Sequence, residues 1–123
     1  NGENHYPQDI EFTVQDSSPA IRPGCIAAFG MTDNSDERLV VVAEVSEQGE
    51  KDPTQFPEVA AGARRAVWEV HQLATHAVVL VRRGTVPKTS SGKIQRALSR
   101  ELLRGGKLDV LGGDRVLFEA GGS

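Results

Sequence analysis

Ala77-Val78-Val79-Leu80-Val81 is apolar at every position and rich in β-branched side chains. A strand with one wet face alternates apolar and polar residues, so an unbroken apolar run has to be covered on both sides. The stretch predicts a central strand with further layers against it. Working toward the N-terminus, Phe56, Val59, Ala60, Ala63, Val67 and Val70 recur at three- and four-residue spacing, with Trp68 beside them. That spacing predicts a long helix with one core-facing stripe. Residues 48–57 read as a polar, proline-containing loop. Before it, residues 25–31 and 39–45 are short apolar runs flanking the polar cluster 32–36. They predict an antiparallel pair of strands.

At the front of the chain Tyr6, Ile10 and Val14 are spaced by four. Pro7 sits where a first-turn proline is tolerated, and Asp9 and Glu11 suit the helix dipole. An opening helix follows, broken by Pro19 and Pro23-Gly24. Beyond the central strand, residues 84–93 form a loop of turn formers and hydroxyls. A last helix is expected over about 93–104, with Ile94, Leu98 and Leu102 as its buried stripe. Residues 109–123 read as a glycine-rich tail or linker. The order helix, two strands, helix, strand, helix predicts an α+β fold, with a small three-stranded, mostly antiparallel sheet flanked by helices.

The 123 residues suffice for one modest core. At 38% hydrophobic and 25% charged, the composition is that of a soluble globular domain. No apolar run is long enough for a membrane span, and the first residues lack the features of a signal peptide. The chain does not begin with Met and is expected to be cut from something longer. Cys25 has no partner for an internal disulfide and reads as a small buried hydrophobe, which fits a reducing cytoplasmic compartment. The net charge of -3 is unevenly spread. Residues 82–107 carry eight basic side chains and one acid, +7, and the remainder carries -10. Such a segment suits either an anionic partner or a solvated helix face. It lacks interleaved aromatics, and the whole chain is acidic, which argues against nucleic acid.

The chemistry-bearing residues concentrate near Lys93. Pro87-Lys88-Thr89-Ser90-Ser91-Gly92-Lys93 is not a triphosphate-binding loop, because the first glycine of that pattern would fall at Pro87 and its hydroxyl at Ile94. Gly92 can adopt backbone angles other residues resist, and Ser90 and Ser91 are expected to cap the following helix. Lys93 would then project from a helix start, either toward an anion outside the domain or as an ordinary surface lysine. His5, His71 and His76 have no metal-ligand spacing, and no metal site is expected.

Residues 87–96, Pro-Lys-Thr-Ser-Ser-Gly-Lys-Ile-Gln-Arg, closely resemble the C-terminal lysine motif of the adenylate-forming superfamily of acyl-CoA synthetases, luciferases and nonribosomal peptide adenylation domains. Residues 2–11 resemble the segment just after that superfamily's hinge, and Asn4-His5-Tyr6-Pro7-Gln8-Asp9-Ile10-Glu11 is similar to the fatty acyl-AMP ligases in particular. Glu3 stands where the family usually has arginine. The resemblance covers residues 1–108.

This resemblance implies a C-terminal lid domain, with Lys93 as the catalytic lysine and Ser90, Ser91 and Gly92 as substrate-binding neighbours. It implies that ATP, magnesium and the fatty acid are bound mainly by a large N-terminal adenylation domain. Asn4, His5 and Tyr6 would face the second step, in which the acyl group passes to the phosphopantetheine thiol of an acyl carrier protein. The basic region is then a candidate dock for that carrier. The isolated fragment is expected to be inactive. Alternatives are the lid of an acyl-CoA ligase or of a nonribosomal peptide adenylation domain, and a non-catalytic binding module.

Overall fold

The computed structural model describes residues 5–114. It begins with α1 (Pro7–Asp16), in which Pro7 occupies the first turn as expected. Two long strands follow, β1 (Ile21–Asp33) and β2 (Asp36–Val45), paired antiparallel. After β2 come a short helix α2 (Glu47–Glu50) and a 3-10 turn at Pro53–Gln55, inside the stretch expected to be loop. The long helix α3 (Phe56–His71) leads to β3 (Thr75–Val81), then α4 (Arg96–Arg104) and β4 (Val110–Gly113).

The sheet corrects the expectation of three mostly antiparallel strands. Among the described residues it has four strands in the order β1-β2-β3-β4. The outer pairs are antiparallel, but β2 and β3 are parallel, with Val41 opposite Val78 and Ala43 opposite Leu80. The reason is α3. A long helix between neighbouring strands carries the chain back along the sheet, so the next strand runs in the same direction. The fourth strand arises inside the stretch 109–123 expected to be a tail. Gly112 lies where a Cβ would come within 2.6 Å of the Phe56 ring, and Gly113 (φ 86°) where one would meet the Val78 carbonyl at 2.5 Å. These glycines allow close backbone approach, so they mark a strand edge rather than a flexible link. Residues 115–123 lie outside the described residues.

Both faces of the sheet are covered. On one, α1 and α3 bury Ile10, Val14, Phe56, Ala63 and Val67 against Val41, Ala43, Val78 and Leu80. On the other, Val40, Val42, Val79 and Val81 meet Val86, Leu108 and the flanks of Ile94, Leu102 and Leu103. The two faces share out alternate residues of one apolar run, which is why β2 and β3 show no amphipathic alternation. Three expected core positions are instead exposed: Tyr6 (58%), Val70 (61%) and Leu98 (42%). Tyr6 precedes α1 as its cap residue. Val70 sits one turn beyond the last buried stripe residue, Val67, near the end of α3. The face that α4 turns to the core carries Ser99 with the partly buried Leu102 and Leu103, which leaves Leu98 outside it.

Candidate functional site

β3 ends at Val81, and the chain then turns sharply. The Thr85 N–H donates to the Arg82 carbonyl at 3.1 Å, and Gly84 has φ 86°. Val86 is buried, and from Pro87 the chain folds into a small hairpin. Lys88 pairs with Ile94 across it, and the Gln95 N–H donates to the Pro87 carbonyl at 3.0 Å. At the tip the Thr89 N–H donates to the Lys93 carbonyl at 2.8 Å and the Gly92 N–H to the Thr89 carbonyl at 2.9 Å. The Thr89 hydroxyl accepts the Lys93 N–H at 3.0 Å and lies 3.0 Å from the Ser91 hydroxyl. Gly92, at φ 89°, supplies the left-handed residue that a three-residue hairpin loop requires.

Ser90, Ser91, Gly92 and Lys93 therefore share one hairpin tip, all exposed. This corrects the expected capping role. The N-cap of α4 is Gln95, with no side-chain cap, so Ser90 and Ser91 shape a turn instead of starting a helix. Lys93 is held through its backbone, and among the described residues no hydrogen bond or ion pair holds its ammonium group. The neighbouring Lys88 points the other way, its Nζ 3.1 Å from the Cys25 Sγ.

The other expected residues lie apart. His5 and Tyr6 precede α1, and Asn4 falls outside the described residues. His5 lines a mostly apolar groove of 300 Å³ with Ile10, Phe29, Leu39 and Leu73. No residue of the hairpin tip lines that groove.

Acids from distant parts of the sequence anchor the base of the hairpin. Glu44, in β2, is 1% exposed. Its Oε1 accepts from Arg22 Nη1 at 2.8 Å and its Oε2 from the Val86 N–H at 2.9 Å. Burial pushes the Glu44 carboxyl up, but the N–H groups of Gly84 and Val86 together with Arg22 outweigh it and hold it below its ordinary value. Arg22 is correspondingly raised, chiefly by its hydrogen bond to Glu44. Arg83 pairs with Glu50 at 3.2 Å and Arg82 with Asp109 at 2.7 Å. Arg96 grips Glu11. Sequence reading missed Glu44. Its one signal was a charge inside the run Leu-Val-Val-Val-Ala-Glu-Val of residues 39–45. Three of the eight basic residues in 82–107, Arg82, Arg83 and Arg96, thus meet acids remote in sequence, and Arg100 and Arg104 share the local Glu101.

Among the described residues, no helix is long and apolar enough to cross a membrane. The family model for the Disco-interacting protein 2-like AMP domain matches residues 1–108. The medium-chain-fatty-acid–[acyl-carrier-protein] ligase JamA of Moorena producens is 45% identical over 108 residues, covering 88% of this chain and 18% of that protein. The long-chain-fatty-acid–AMP ligase FadD32 of Mycobacterium marinum is 34% identical, covering 88% and 20%. The solved fatty acid AMP ligase from Legionella pneumophila superposes with a TM-score of 0.73 at 33% identity, covering 93% of this chain and 20% of that one. The chain thus spans about a fifth of the length of the relatives it matches.

Proposed function

Because this chain belongs to the family of Disco-interacting protein 2-like AMP domains, we propose that it is the mobile C-terminal lid, over residues 1–108, of a fatty acyl-AMP ligase. The observation that carries this reading is Lys93, whose unengaged ammonium stands at the tip of a hairpin fixed at its base. In the closed enzyme Lys93 reaches between the fatty acid carboxylate and the α-phosphate of ATP. The carboxylate oxygen attacks the α-phosphorus, pyrophosphate leaves, and acyl-AMP forms. A cation delivered where negative charge gathers lowers the barrier electrostatically, and a lysine serves as a point charge on a flexible stem. Ser90, Ser91 and Gly92 shape the loop around it.

ATP and the fatty acid are held mainly by the large N-terminal domain. Magnesium accompanies ATP in that domain. The lid then rotates, as hinged enzymes do. The end bearing Asn4, His5 and Tyr6 meets the phosphopantetheine thiol of an acyl carrier protein, which takes the acyl group and releases AMP. A cytoplasmic location suits the buried, unpaired Cys25.

The test is pyrophosphate release from ATP and a long-chain fatty acid by the full-length protein. Lys93→Ala should lower the rate by about 10²-fold, the usual cost of removing one transition-state charge contact, while ATP still binds. A variant with full rate would mean that the chain is a binding module and Lys93 a surface lysine.

A further inference from the structure

We propose that Glu44 is a positioning residue for the adenylate-forming step: its buried carboxylate, held by Arg22, grips the Val86 N–H and fixes the base of the hairpin that carries Lys93. The inference rests on the reading of Lys93 above.

Glu44 faces the same side of the sheet as Val40 and Val42, which are fully buried. A carboxylate there is costly unless every lone pair is used, and an apolar side chain of similar size usually serves stability as well or better. Packing therefore does not explain the charge. What a carboxylate does that valine cannot is hold a backbone donor belonging to another segment. The donor is the Val86 N–H, at 2.9 Å, between the end of β3 and the hairpin. Pro87 follows at once, with φ restricted by its ring, and its carbonyl accepts the closing hydrogen bond from Gln95. The links from the core of β2 through Glu44, Val86 and Pro87 to the paired residues Lys88 and Ile94 are all short and stiff. They end at Lys93. On the outer side Arg22, partly exposed, orients the carboxylate at 2.8 Å. The carboxyl stays ionised at working pH, because its three donors outweigh the effect of burial.

A point charge displaced by an ångström loses much of its effect in a closed site. Lys93 acts in the first step only, so loosening its hairpin should slow adenylate formation and spare acyl transfer. Loss of the fold would harm both.

The experiment uses the full-length protein with Glu44→Gln, Arg22→Gln and Lys93→Ala, and reads two steps separately. One is pyrophosphate release from ATP and dodecanoate, with kcat and KM. The other is consumption of chemically prepared dodecanoyl-adenylate by pantetheine. Glu44→Gln should lower kcat for pyrophosphate release about tenfold or more, because the catalytic group is misplaced rather than absent. KM values should change little, and the transfer rate should stay at the wild-type level. Arg22→Gln should shift in the same direction by less, and it decides the matter if Glu44→Gln does not fold. Equal losses in both steps, or no loss in either, would overturn the positioning role. If Lys93→Ala keeps full pyrophosphate release, the lysine reading itself has failed. If Lys93→Ala is dead and both Glu44→Gln and Arg22→Gln are normal, only this inference has.

Discussion

Arg96, the first residue of α4, makes a two-pronged bond to Glu11 of α1: Nε to Oε2 at 2.7 Å and Nη2 to Oε1 at 2.8 Å. The helices belong to layers on opposite faces of the sheet, so the pair closes around the outer edge of β1. Glu11 also accepts the Ala28 N–H of that edge at 2.8 Å, which satisfies a donor that no strand among the described residues reaches. The guanidinium is raised above its ordinary value chiefly by its hydrogen bond to Glu11. Glu11 and Arg96, which belong to two separate stretches of sequence resemblance, are thus joined directly in the fold.

Breaking that pair should be costly. Glu11 is 9% exposed, so Arg96→Ala leaves a buried carboxylate with one backbone partner. Urea unfolding is expected to show a loss of about 2–3 kcal/mol, the range for a hydrogen-bonded charge losing its partner. Arg96→Lys should rescue little, since an ammonium cannot reproduce the planar fork. A double-mutant cycle with Glu11→Gln should give a coupling of about 1 kcal/mol or more. A coupling near zero would mean the two side chains are neighbours without mutual dependence.

Glu44 makes stability depend on pH in a definite direction. Its carboxyl is held below the ordinary value of 4.5 in the folded chain. The folded state therefore prefers the ionised form. The stabilisation is complete above the unfolded value and is lost as pH falls below about 4.5 and through the lowered folded value. Arg22 and the Gly84 and Val86 N–H groups hold this carboxylate, Cys25 lies close to Arg22, and the charged Glu50, Arg82 and Arg83 line the same surface recess as Arg22 and Gly84. Chemical unfolding of wild type and Glu44→Gln between pH 7 and pH 3 should show a shallower acid loss in the variant. Parallel curves would assign the acid sensitivity to other carboxylates.

How much of this was legible follows from the range of the forces involved. The helix α3 and the strand β3 were readable because their apolar periodicity is local and strong. The direction of β3 relative to β2 was not given by periodicity, although the helix between them implied a crossover. β4 was hidden because its glycines are there to let Phe56 and the Val78 backbone approach, and glycine looks the same in a linker. Lys93 was legible as a motif. Its hairpin was not, because Ser90 and Ser91 satisfy a capping pattern as readily as a turn. Glu44 and the Glu11–Arg96 pair depend on contacts 42 and 85 residues apart in sequence, which no local pattern reveals.

The β4 glycines are testable. Gly112→Val would place its Cβ 2.6 Å from Phe56 Cδ2, and Phe56, the first residue of α3, is buried. Overpacking of this kind usually costs about 1–3 kcal/mol. A thermal melt should show a lower Tm, and trimming the neighbour in the double variant Gly112→Val with Phe56→Leu should recover part of the loss. An unchanged Tm for Gly112→Val would mean that β4 does not pack on α3.

Two glycines with open space around them should respond in opposite ways to the same change. A Cβ on Gly62, in α3, meets nothing within 4 Å, and its backbone is helical. Gly62→Ala should stabilise by up to about 1 kcal/mol, the difference in helix propensity. A Cβ on Gly92 also meets nothing within 4 Å, but φ there is 89°. Alanine pays about 1–2 kcal/mol in that region from its own backbone sterics. The strain can be relieved only by reopening the hairpin tip, which would break the Thr89–Gly92 hydrogen bond and move Lys93. Gly92→Ala should therefore destabilise slightly and depress adenylate formation severalfold, with Gly62→Ala as the active, stabilised control. If Gly92→Ala unfolds more easily yet forms adenylate at the wild-type rate, the hairpin tip does not need this shape to deliver the lysine.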